Sequence, residues 1–324
     1  MDNQDKFLQL LHSSDEANVQ LALEIAKGIP ESNVILQDYQ ELYQVLFGYA
    51  TSIPLEAQHI LALNQTSINA TYKNISRLPP SIEQLDHLQA LYLSHNPLSD
   101  LPESIGNLIN LKVLVLSNNT INQLPQSIKK LKNLQRLHWE WNQIKQIPPI
   151  IGSLTNLKAL ILSGNQLTQL PQFIGNLINL TSLNIKANQF TQYSDSISSL
   201  TNLRELNLNN NRLTQLPTTI GALTNLEEMK LDNNQLRQLP ETIGDLKSVF
   251  RLSLMHNQLT HLPETIGNMK NLEDLYLDDN QLTCLPESIK HLKHLDVLDL
   301  GKNSLSSSEI EKIKALLPNC SITY

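Results

Sequence analysis

A few groupings in this chain carry residue types able to do chemistry. His291-x-x-His294 brings two imidazoles onto one helical turn, as in a metal-ligand pair, but no third ligand lies nearby. His138 and Glu140 fall on one side of a strand and form a potential proton-transfer pair, yet no nucleophile or oxyanion site completes it. Asp278-Asp279 offers two carboxylates to a cation. Adjacent residues of extended chain point to opposite sides, however, and make a poor oxygen cage. Cys284 and Cys320 are far apart and form no metal or disulfide framework. The chain contains no Gly-x-x-x-x-Gly-Lys loop, no Gly-x-Ser-x-Gly elbow and no His-Glu-x-x-His helix. Six of its 10 glycines (106, 152, 175, 221, 244 and 267) each follow an isoleucine at a recurring position, so they build no phosphate cradle. These residues argue against an enzyme and call for no metal and no cofactor.

The elements that would position such residues follow from charge and periodicity. The 324 residues carry a net charge of −7, with 17% charged and 40% apolar residues. A mildly acidic total argues against nucleic-acid and anionic-membrane partners, which need clustered Lys and Arg. No run of about 18 apolar residues is present, so no membrane-spanning helix is expected. The start, Met1-Asp2-Asn3-Gln4-Asp5-Lys6, lacks the character of a signal peptide, and the cysteines suggest no stapled caps, so a cytoplasmic location is expected. Residues 1–64 hold nine acids and two bases, the whole excess of seven, and the remainder balances. That shift suggests a boundary near residue 64.

Beyond it the sequence repeats. Asparagine recurs every 23 residues at 96, 119, 142, 165, 188, 211, 234, 257, 280 and 303. One unit reads Leu226-x-x-Met229-x-Leu231-x-x-Asn234-x-Leu236-x-x-Leu239-Pro240-x-x-Ile243-Gly244-x-Leu246. Ten such units start at 88 and every 23 residues after it; a weaker one starts at 65 with Lys73 at the Asn position, making eleven. The apolar-x-apolar pair has period 2 and predicts a short strand with both residues on one face. The Asn amide suits backbone groups left unpaired where the chain turns. Pro then ends the ladder, and Ile-Gly-x-Leu anchors a returning helical turn or coil. No unit can bury its leucines alone, so stacking must join the strands into a parallel sheet over a continuous core.

These motifs resemble the leucine-rich repeat family over about residues 65–305, closest to the intracellular 23-residue class with an LPxxIGxL back half, as in Ras-suppressor-like and bacterial members. The resemblance implies an α/β solenoid, a horseshoe with a parallel concave β-sheet, which usually works by binding another protein. Three departures stand out: Lys73 for Asn, Tyr193-Ser194 for Leu-Pro, and Trp139 for a core leucine, which needs extra room.

A solenoid exposes its core at both ends and needs caps. Residues 1–64 read as a helical N-terminal cap, with a Ser13-x-x-Glu16 capping box, a second helix from about Asn33 to Tyr49 and a third from near Ser52 to Leu63. A separate interaction module is the alternative. Residues 306–324 read as a helix–strand C-terminal cap, with Ser306-x-x-Glu309 opening the helix and Cys320, Ile322 and Tyr324 alternating in an edge strand. Cys320 is expected to be a buried small hydrophobe and Cys284 exposed.

The sheet face away from the core is free to specialise. Its candidate partner-binding residues are Tyr92, Val113, Val115, Arg136, His138, Trp141 and Ile161, an apolar and aromatic group of interface type, followed by the acidic Glu205, Glu228, Asp232, Asp274 and Asp278. The plain alternatives are that β-propensity selects the former and solvation the latter. The expectation is a monomer that binds a protein partner in intracellular signalling or scaffolding. Self-assembly, or recognition of a carbohydrate or envelope ligand, is the alternative.

Overall fold

The computed structural model describes residues 3–49 and 54–324, in two compact units, Met1–Gln143 and Ile144–Tyr324. The first unit begins with α1 (Asn3–Leu11), α2 (Glu16–Ala26), α3 (Ser32–Phe47) and α4 (Ala57–Leu63). The helix α1, which carries no strong start signal, precedes the ones expected. The cap of α2 is Asp15 rather than Ser13: Asn18 N–H donates to Asp15 Oδ1 at 3.1 Å, while Ser13 Oγ accepts from Asp15 N–H and Asn18 Nδ2, each at 3.1 Å. A carboxylate in line with the free N–H groups displaces the hydroxyl two residues upstream. The helix α3 ends at Gly48, whose φ of +79° suits a residue without a side chain. Ser52, the expected start of the third helix, lies outside the described residues.

These helices close one end of a repeat stack. Phe7, Leu11, Tyr39, Leu42, Leu46, Ile60 and Leu63 are fully buried. Asn64 Nδ2 donates to Leu11 O and Ser13 O at 2.7 and 2.9 Å, and Ser81 Oγ to Glu41 Oε2 at 3.4 Å. Strands β1 (Ser67–Asn69), β2 (Ala90–Tyr92), β3 (Val113–Val115) and β4 (Arg136–His138) follow, paired in parallel and in sequence order. Ile68, Leu91, Leu114 and Leu137 stand in one buried row, and the residues flanking each point the other way. Trp139 is wholly buried, and its indole N–H donates to Ile121 O at 3.1 Å, so the odd residue of its column carries its own polar partner inward.

The second unit continues the pattern with β5 (Ala159–Ile161), β6 (Ser182–Asn184), β7 (Glu205–Asn207), β8 (Glu228–Lys230), β9 (Arg251–Ser253), β10 (Asp274–Tyr276) and β11 (Val297–Asp299). Then come α5 (Ser307–Leu316), whose first turn is capped by Ser306 as expected, and β12 (Ser321–Thr323), parallel to β11. Cys320 is half-buried, and burial pushes its thiol up to about 11; Cys284 is exposed.

In both units the returning segment is a short 3-10 helix, such as Glu241–Asp245, with proline at its N-cap. Ser194 takes that place in Asp195–Ser199, and its hydroxyl bonds Leu170 O at 3.0 Å, so the helix survives the Tyr193-Ser194 departure. The recurring asparagines are buried and knit successive repeats. Asn234 Oδ1 accepts from Leu213 N–H at 3.0 Å, and its Nδ2 donates to Leu208 O and Leu231 O, each at 3.0 Å. A second column escaped the sequence reading: Asn179, Asn202, Asn225 and Asn271 each donate to a carbonyl 24 residues earlier.

Candidate protein-docking face

Each repeat leaves its strand with a residue of positive φ just before the asparagine: His95, Asn118 and Trp141 in the first unit, Gly164, Ala187, Asn210, Asn233, His256, Asp279 and Lys302 in the second. Tyr72 occupies the position in the first repeat, ahead of Lys73. Asn, Asp, His and Gly tolerate this conformation; a bulky ring there is an outlier. Tyr72 and Trp141 are nonetheless 71% and 53% exposed. In the first unit this column borders the strand face. The Tyr72 ring stacks on His95 with centroids 4.2 Å apart and planes 12° apart, and Asn118 Nδ2 lies 3.5 Å from His95 Nε2.

Beside it runs a second row set by strand register, Tyr92 opposite Val115 opposite His138. Val113 and Arg136 are likewise paired neighbours. The structure therefore gathers Tyr92, Val113, Val115, Arg136, His138 and Trp141 on one face, and adds Tyr72. The signal for Tyr72 was its eighth place in the weak first repeat. Burial holds the His138 imidazole below its ordinary value, with Glu140 opposing and Arg136 reinforcing that shift. Ser117 Oγ donates to Glu140 at 3.2 Å.

On the second unit Ile161, Glu205 and Glu228 line a shallow cavity of about 180 Å³ with Ser182, Asn184, Asn207 and Lys230. The acidic run expected there is largely engaged. Glu205 accepts from Ser182 Oγ at 3.0 Å; Glu228 meets Lys230 at 2.9 Å and Arg251 at 3.7 Å. Asp274 pairs with Arg251 at 2.8 Å, Asp278 with Lys302 at 3.3 Å and Asp279 with His256 at 2.7 Å. The Asp274 carboxylate in turn holds the Arg251 guanidinium above its usual range. Asp232 requires correction as a docking residue. It is buried, and its carboxylate accepts from Ser253 Oγ, Met255 N–H and Asn209 Nδ2. Its neighbours lie one repeat away in space, which makes it an internal acceptor.

Among the described residues no cluster of three or more His, Cys, Asp or Glu could hold a metal ion, and no helix is long and apolar enough to cross a membrane. The family described as "Leucine-rich repeat region" matches residues 103–208 and 187–281, more than half of the chain, and "Leucine Rich Repeat" matches 87–108 and 271–292. The chain belongs to the leucine-rich repeat proteins. A leucine-rich repeat protein of Leptospira interrogans is 33% identical, with 84% of this chain covering 87% of that one at a TM-score of 0.60. The plant peptide hormone receptor RGFR1, solved in complex with RGF2, is 30% identical at a TM-score of 0.65; 77% of this repeat protein spans 42% of that receptor chain. The internalin InlF of Listeria monocytogenes is similar in fold, at 20% identity and a TM-score of 0.62, over 88% of this chain and 94% of that one. A search of curated proteins finds no match.

Proposed function

We propose that this repeat protein is a non-catalytic binding module that docks a protein partner on its strand face, with the first unit supplying the energetic centre. The observation that carries this is the row Tyr92–Val115–His138 beside an exposed Trp141 held at positive φ. Tyr, Trp and Arg dominate the energetics of protein interfaces, and clustered on one face they form an interface centre rather than scattered surface residues. A bulky ring in a strained backbone region marks a site where function outweighs local stability. The peptide-binding receptor among the structural neighbours supports a protein or peptide as ligand. In this reading residues 1–64 and 306–324 cap eleven repeats over 65–305, and the protein acts as a cytoplasmic monomer in signalling or scaffolding. On the second unit Ile161, Glu205, Glu228, Asp274 and Asp278 form a candidate surface of its own, where the paired acids contribute specificity more than affinity.

The test is affinity capture from native lysate, comparing the wild type with a Tyr92→Ala, Trp141→Asn double variant. Partner recovery should fall sharply while the melting temperature stays within a few degrees. Equal recovery by both proteins refutes the docking face. A concentration-dependent oligomer in light scattering would favour self-assembly instead.

A further inference from the structure

We infer that the first unit's strand face takes a proline-rich segment in the polyproline II conformation, lying across the strands and bearing an acidic residue that meets Arg136. This rests on the docking reading and names its ligand class. Rings fill both the fifth and the eighth position of the second and fourth repeats and neither position of the third, and the first repeat adds Tyr72 at its eighth. Tyr92 on β2 and His95 just past it, with Tyr72 stacked on His95, mark one saddle; His138 on β4 and Trp141 just past it mark the other; Val115 on β3 and Asn118 just past it stand between them. Two strand spacings separate the saddles, ~9.6 Å, and polyproline II repeats every three residues, ~9.3 Å. Successive prolines one turn apart therefore fall on successive saddles, with Val115 as the floor. A helix rises about 5.4 Å per turn and would want a ring on every strand, which β3 does not give.

The polar groups agree. A polyproline II backbone has no internal hydrogen bonds, so its carbonyls look for donors. Trp141, Tyr92 and Asn118, on or beside this face, each carry such a donor: an indole N–H, a hydroxyl and an amide. Charge complementarity sets the third element. Glu140 is already bonded to Ser117, whereas Arg136 is exposed and no carboxylate hydrogen-bonds to it among the described residues. An acidic ligand side chain satisfies it, and a basic one is repelled. Proline also arrives pre-ordered, which limits the entropy lost on docking.

The probes are three acetylated, amidated peptides of about ten residues, roughly 31 Å as polyproline II: a proline-rich one with a single Glu, the same with Lys for Glu, and a Gly/Ser peptide with the Glu. Calorimetry and tryptophan fluorescence read binding. The Glu-bearing proline peptide should bind saturably and the Gly/Ser peptide at least tenfold more weakly. Tyr92→Ala and Trp141→Asn should each weaken it roughly tenfold. Asparagine suits the positive φ, so Trp141→Asn keeps the fold, and thermal melting confirms this for each variant. Arg136→Gln should erase the preference for Glu over Lys and leave the preference for proline. Equal binding of proline and Gly/Ser peptides, or no binding of any, overturns the inference. Selection of a displayed random-peptide library on wild type and on the Tyr92/Trp141 double variant separates the two levels. Proline-poor sequences enriched only by the wild type end the polyproline reading and leave the docking face standing. Enrichment indifferent to the variant ends both.

Discussion

Replacing Asn234 with Ala tests the asparagine ladder that joins the repeats. The side chain is buried, and the substitution removes three hydrogen bonds of 3.0 Å. The three losses are unequal. Leu208 O still accepts from Asn211 Nδ2 at 3.0 Å, and Leu231 O still accepts from Asn257 Nδ2 at 3.0 Å. The Leu213 N–H, in a fully buried residue, loses its acceptor. An orphaned buried donor costs about 1–3 kcal/mol and each partly compensated carbonyl about 0.5 kcal/mol, for a total of about 3 kcal/mol. Asn303→Ala is the control. That asparagine is only half-buried, so its removal opens the turn toward water although Leu282 itself is buried, and a smaller loss of about 1 kcal/mol is expected. Urea unfolding followed by circular dichroism gives the loss, and native-state amide exchange locates it at Leu213. An Asn234→Ala protein within about 0.5 kcal/mol of the wild type, or one with the Leu213 amide still protected, would show that the ladder is not what couples the repeats.

Glycine in the Ile-Gly step should matter unevenly. A Cβ at Gly244 would meet Thr265 O and Cβ, the latter at 2.8 Å, whereas at Gly175 the nearest atom is 3.2 Å away. Gly244→Ala should therefore destabilise by about 1–3 kcal/mol and lower the melting temperature more than Gly175→Ala. Trp139→Leu restores the usual core residue yet should cost about 2 kcal/mol in urea unfolding, because it opens a void and frees Ile121 O. His12 stacks on Tyr39 at 6.3 Å, and burial, then His87, hold its pKa below the ordinary 6.5, with Asp86 opposing. The folded state thus binds fewer protons than the unfolded chain, so the contribution of His12 is full above 6.5 and is lost as pH falls. The protection factors of the α1 amides, which divide out the intrinsic pH dependence of exchange, should fall between neutral pH and pH about 5, and His12→Gln should flatten that fall; pH-independent protection in the wild type would refute it.

The period of 23 was legible because each repeat solves the same packing problem with the same residues. The Leu-x-Leu strands, the inward asparagines and the Ser306 cap all followed from local spacing. The first cap was misplaced because Ser13 and Asp15 both carry suitable oxygens, and only backbone direction shows which one meets Asn18 N–H. Lys230 and Arg251 visibly interrupt the acidic run of the second unit in sequence, but their pairing is not legible there: Arg251 lies 23 residues from both Glu228 and Asp274 yet within 3.7 and 2.8 Å of them in space. Asp232 failed as a surface residue for the same reason.

Sequence alone determined the repeat, its buried leucines and the family, because period and apolar spacing are properties of a single strand-and-turn unit. Tertiary structure decided which polar groups stay available. It consumed Asp232, paired Asp274 and Asp278, stacked Tyr72 on His95 and left Trp141 exposed at positive φ. Those outcomes depend on neighbours one repeat away, and contacts across 23 residues exist only once the strands are laid side by side.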